Sequence, residues 1–167
     1  MNNLCSVTMV EQCRPSEPGE KATSWRPETL EVNVIFTNPE ASATALQTAQ
    51  SLTRGLGAVV RLRAGIVVPM RLPLDQPPVS VEFMERLLRE MVEQLDAAGC
   101  EITVHLYVCR NWIETLLDVL RPASLVMVGG RRHWWPSAAS RVASALEAKG
   151  HRVTFVLAKG EVTERLR

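Results

Sequence analysis

The chain has 167 residues, enough for one domain that buries roughly 70% of the surface its unfolded form exposes. Hydrophobic residues make up 46% of it and charged residues 22%, the balance of a globular protein, and a net charge of +1 excludes a general field for nucleic acid or an anionic membrane. No apolar run approaches the ~20 residues of a bilayer span, and residues 1–12 carry neither the basic nor the apolar stretch of a secretion signal.

Residues 1–30 lack periodicity, and "CRPSEPGEKATSWRPE" is rich in Pro, Ser, Glu and Lys. This composition predicts a flexible arm, because it buries too little apolar surface to offset the entropy of ordering. Regular structure is expected from "EVNVIF" (31–36), a short apolar strand. A helix follows, with Asn38 as its N-cap, Pro39 at the first helical position and Gly57 as its stop. Leu46, Ala49, Leu52 and Leu56 are expected along its packing face. "AVVRLRAGIVV" (58–68) reads as a second strand and "PMRLPLDQPP" (69–78) as a loop that prolines keep irregular.

Val81, Met84, Leu88, Met91 and Leu95 recur at helical spacing, so a second helix is expected over about 80–98, closed by Gly99. On that helix Glu82, Glu85, Glu90 and Glu93 lie among Arg86 and Arg89, the pattern of a solvated, ion-paired face. "EITVHLYV" (101–108) alternates strictly, with Ile102, Val104, Leu106 and Val108 on one side and His105 and Tyr107 on the polar one. Asn111 caps a third helix that Pro122 ends. "SLVMV" (124–128) is a fourth strand, a fourth helix covers about 137–149, and "RVTFVLA" (152–158) is the last strand.

Strict alternation of strand and helix predicts an α/β fold: a five-stranded parallel sheet between two helical layers, over residues 31–158 with a tail at 159–167. The first and fourth strands are the more continuously apolar, as central strands are, and the third and fifth alternate, as edge strands do.

Four local marks are similar to the universal stress protein family: "VIFTN" entering the first helix, "GLGAVVRL" after it, "RPASLVMVGG" at the fourth strand, and a closing last strand. The resemblance covers about residues 31–158 and implies the three-layer α/β/α sandwich with strand order 3-2-1-4-5. Members that bind ATP carry an Asp after the first strand and a G-x2-G-x9-G-(S/T) loop, whose glycines let backbone N–H groups approach phosphate at a helix start. This sequence has Asn38 in place of the Asp. Gly129 matches the first glycine, Arg132 replaces the second, and Ala139-Ser140 stands where the last Gly-Ser pair would be.

The candidate site is therefore Asn38 with Gly129, Gly130, Arg131, Arg132, His133, Ser140 and Arg141. In an open parallel sheet these residues meet beyond the carboxyl ends of the strands, where the strand order reverses. Arg131, Arg132, His133 and Arg141 offer guanidinium and imidazole donors suited to phosphate, or else form a solvated rim on a tight turn. Trp134, Trp135 and Pro136 beside them stack on a base, cap the sheet end or cover a subunit contact.

His105 and His151 have no carboxylate or cysteine at metal spacing and read as surface or satisfied histidines. Cys5, Cys13, Cys100 and Cys109 show no C-x-x-C pair, which suits reduced thiols in a cytoplasmic protein. No G-x-S-x-G elbow, Walker lysine motif or dinucleotide fingerprint is present.

The sequence thus predicts a non-catalytic regulatory module that acts through protein contacts. It needs no cofactor and binds ATP or another nucleotide weakly if at all. The alternative is a protein that holds an adenine nucleotide or other phosphorylated ligand on Gly129–His133. The expected partners are a second copy, paired through the open edge at 152–158, and another protein, without nucleic acid or membrane insertion.

Overall fold

A computed structural model of the chain describes residues 30–95, 100–131 and 137–157 in full, and residues 5–12 and 162–163 as backbone. Its strands are β1 (Cys5–Gln12), β2 (Glu31–Ile35), β3 (Val59–Val67), β4 (Glu101–Cys109), β5 (Leu125–Gly130), β6 (Arg152–Leu157) and β7 (Val162–Thr163). The helices are α1 (Pro39–Thr53), α2 (Val81–Glu93), α3 (Trp112–Val119) and α4 (Ala138–Ala148).

The five strands from β2 to β6 form the all-parallel sheet expected from the alternation, in spatial order β4-β3-β2-β5-β6, which is the 3-2-1-4-5 arrangement that the resemblance implied. From β2 the chain steps outward to β3 and β4, then returns past β2 to β5 and β6. Right-handed crossovers in opposite directions place their helices on opposite faces. Accordingly α1 and α2 share one hydrophobic cluster with Val34, Leu62 and Val104, whereas α3 and α4 share another with Ile35, Val126 and Val128. The result is a three-layer α/β/α sandwich.

The helix limits follow the capping residues. Asn38 Oδ1 accepts the Ala41 N–H at 3.0 Å and Pro39 opens α1; Asn111 Oδ1 accepts from Ile113 and Glu114 at the start of α3. Ser80 and Ser137 cap α2 and α4 in the same manner. Such caps satisfy N–H groups that have no partner within the helix.

Three features differ from the sequence reading. Within the segment read as an arm, Cys5–Gln12 is a strand that runs parallel to β4, so β4 has a neighbour on both sides. At the other end β7 pairs antiparallel with β6 at Phe155 and Val156, taking up part of the edge expected for self-pairing. Finally, α1 ends at Thr53, short of the Gly57 stop expected, so Leu56 lies in the turn beyond it. The packing face keeps Leu46 and Ala49 but excludes Leu52; Leu52 and Leu56 are 59% and 61% exposed. The buried arc runs through Ala41, Ser42, Ala45, Leu46, Ala49 and Thr53. Leu52 lies about 100° of helical rotation from Thr53, on the solvent side.

Candidate functional site

The reversal point of the sheet lies between β2 and β5, and the bend at Thr37 carries the chain from β2 into α1 there. Thr37 Oγ1 donates to the Gly129 carbonyl at 2.7 Å, and its N–H donates to Ser42 Oγ at 3.0 Å. These bonds tie the first turn of α1 to the end of β5.

Gly129 and Gly130 are strand residues. They pair with Val156 and Leu157 of β6, two positions beyond the strand end expected at residue 128. Each has a steric reason to lack a side chain. A Cβ at Gly129 would overlap the Ala41 carbonyl, and one at Gly130 would overlap the Phe155 ring. The double glycine therefore lets α1 and Phe155 approach β5 closely, a packing role that a sequence alone does not distinguish from a phosphate cradle.

The other expected residues lie around this junction. The Asn38 side chain caps α1, so its acceptor points at its own helix. Arg131 forms an exposed ion pair with Glu40 in the first turn of α1. Ser140 donates its N–H to Ser137 Oγ and its hydroxyl to the Ser137 carbonyl, inside the cap of α4. Arg141 is exposed on the first turn of that helix. Arg132 and His133, with Trp134, Trp135 and Pro136, lie outside the described residues. The structure thus joins Asn38 and Gly129 through Thr37 and α1, and sets Arg131 against Glu40. Pro39 has no N–H, and Asn38 takes those of Ala41 and Ser42 through its side chain and carbonyl.

A second polar group was not singled out in the sequence. On the side of the sheet where α3 and α4 lie, Asn33 of β2, Arg61 and Arg63 of β3, and Thr103, His105 and Tyr107 of β4 alternate with the buried apolar residues. Arg63 is only 5% exposed. Its Nε donates to Asn33 Oδ1 at 2.7 Å, its Nη1 donates to the Tyr107 hydroxyl at 2.6 Å, and its Nη2 lies 3.7 Å from Glu31 Oε1.

Glu31 Oε2 is 3.0 Å from Arg61 Nε, an ion pair without the alignment of a hydrogen bond. Burial, and then the charges of Arg63 and Arg61, push the His105 pKa down to about 4, so the ring is neutral at pH 7. Its Nε2 sits 3.3 Å from Thr103 Oγ1. The signal was present in "RLR" and "HLY", since period-two alternation puts both arginines and both rings on one face.

His151 is buried, burial lowers its pKa, and its Nδ1 has no hydrogen-bond partner among the described residues. It is therefore not a surface histidine, and its Nδ1 is left unsatisfied among the described residues. Cys100 and Cys109 are free thiols, and no group of His, Cys, Asp and Glu that could hold a metal occurs among the described residues. No helix among them is long and apolar enough to cross a membrane.

The chain was compared with protein-family models, with curated proteins and with solved structures, and none of the three comparisons produced a match.

Proposed function

We propose that this α/β domain is a non-catalytic regulatory module, similar to universal stress proteins, that works through protein contacts and has lost nucleotide binding in that family's manner. The observation that carries this reading is the junction at Gly129. Where a nucleotide-binding relative would offer open backbone and free donors, Gly129 lies against the Ala41 carbonyl. There too, Thr37 is bonded to the Gly129 carbonyl, Asn38 caps α1 and Arg131 pairs with Glu40. A phosphate arriving here competes with the Glu40 carboxylate for Arg131, and Glu40 adds like charge at the helix start.

Titration calorimetry of the full chain with Mg-ATP, ADP, AMP and cyclic dinucleotides tests the reading. The expected result is no binding of micromolar affinity or better. A micromolar isotherm would instead favour the alternative, in which Gly129–His133 holds a phosphorylated ligand. The protein contacts of this reading include a second copy of the chain, paired at the part of the β6 edge that β7 leaves free.

A further inference from the structure

We propose that the polar face formed by Glu31, Arg61, Arg63, Thr103 and His105 on β2, β3 and β4 is a binding site for an oxyanion, the phosphate or carboxylate group of a small molecule. The inference is independent of the nucleotide reading above, which concerns the opposite flank of β2.

Parallel strands buried on both faces are ordinarily apolar on both. Here the apolar cluster under α3 and α4 draws on β2, β5 and β6 and, among the described residues, on none of β3 or β4. Trp112, at the start of α3, marks the border. Its ring lies over Gly65, where a Cβ would overlap it, and 5.9 Å from the Tyr107 ring. Beyond that border the sheet presents side chains that donate hydrogen bonds.

Charge and donor counts point to an anion. Among the described side chains, two guanidinium groups share one carboxylate, that of Glu31. Glu101, exposed at the start of β4, makes no ion pair among the described residues, and the neutral His105 adds no charge. A buried cation lacking a full counter-charge is costly unless a partner completes it. Arg61 Nε is buried without an aligned acceptor, and the nearest carboxylate oxygen to Arg63 Nη2 is beyond hydrogen-bond reach.

The rest of the Arg63 side chain is held in place by Asn33 and the Tyr107 hydroxyl. This is how a guanidinium fork is pre-organised for a planar or tetrahedral oxyanion. Register places Arg61 beside Thr103 and Arg63 beside His105, so the hydroxyl and the imidazole flank the two arginines on neighbouring strands. Glu31 is in this view the internal carboxylate that the ligand competes with.

The test uses the full chain and two probes, sodium phosphate and sodium acetate, each against sodium chloride at matched ionic strength. It reads the thermal midpoint and the His105 ring resonances by NMR. One of the probes is expected to raise the midpoint by about 5–10 °C at a hundred times its Kd, and which one does so identifies the group. The same probe should raise the His105 pKa, because the bound anion offsets the two arginine charges.

Arg61→Met should weaken binding about tenfold or more, the effect of one charged hydrogen bond. Glu31→Gln should tighten it, an opposite sign that a loss of folding cannot produce. The proposal is overturned if neither probe exceeds chloride, if Arg61→Met responds like the parent protein, or if Glu31→Gln fails to bind more tightly.

Discussion

Gly129 illustrates how a single residue type serves two different physical ends. Its neighbour across the junction is the carbonyl of Ala41, a main-chain atom that cannot rotate aside. Gly129→Ala must therefore push α1 away from β5, and about 1–3 kcal/mol of stability should be lost, the usual cost of overpacking. Urea denaturation measures it, and an unchanged midpoint would remove the packing explanation of this glycine.

His105 supplies a second residue-scale expectation. Its pKa falls from 6.5 in the unfolded chain to about 4 in the folded one. Between those values the unfolded state binds the proton and the native state does not, so stability rises with pH across that window. It is fully present above pH 6.5, falls as acid is added, and reaches a floor near pH 4. The His105 contribution should be about 1–3 kcal/mol after allowance for its partial solvation. His151, lowered by burial, acts in the same direction. Denaturation midpoints of the parent and His105→Asn, compared from pH 4 to 7, should show a shallower slope in the variant.

At the scale of the element, α1 separates hydrophobicity from burial. Leu46 is fully buried and Leu52 is largely exposed, although both are leucines of one amphipathic helix. Leu46→Ala should cost about 2–5 kcal/mol, because it removes packed methyl groups and leaves a cavity. Leu52→Lys should stay within about 0.5 kcal/mol of the parent. Thermal midpoints of the two variants decide the orientation of the helix. Alanine at 41, 45 and 49 allows α1 to lie close on the sheet, and Thr53 fits in the same arc by returning its hydroxyl to the Ala49 carbonyl at 2.8 Å. A helix whose buried side is mostly small residues leaves its leucines ambiguous when the spacing is read without a partner surface.

For the whole molecule the edges of the sheet govern association. β1 covers β4, while β7 covers β6 only at Phe155 and Val156. Unpaired strand N–H and C=O groups invite a second chain. Removing residues 159–167 takes β7 away and frees the β6 edge, so light scattering at equal concentration should show a larger dimer fraction in the shortened chain. An unchanged mass distribution would move any self-association to another surface.

Whereas the order 3-2-1-4-5 was implied by the family resemblance, the alternation of strands and helices, the caps at Asn38 and Asn111 and the parallel sheet were legible in the sequence. They rest on local chemistry: side-chain period, cap acceptors, and crossovers of one hand. The strand at Cys5–Gln12 was missed because the Pro-, Ser- and Glu-rich run after it governed the reading of residues 1–30, although Cys5, Val7 and Met9 alternate with Ser6 and Thr8; it pairs with the β4 edge. The candidate sites are a different case. "GG" and "RLR" are visible as letters, but only the tertiary structure shows that the first faces a helix carbonyl and a phenyl ring. It alone shows that the second faces Asn33, Tyr107 and a glutamate shared by both arginines. Period and capping act between near neighbours along the chain. Steric overlap and charge balance are set by residues 25 to 88 positions apart, which meet only when the sheet assembles.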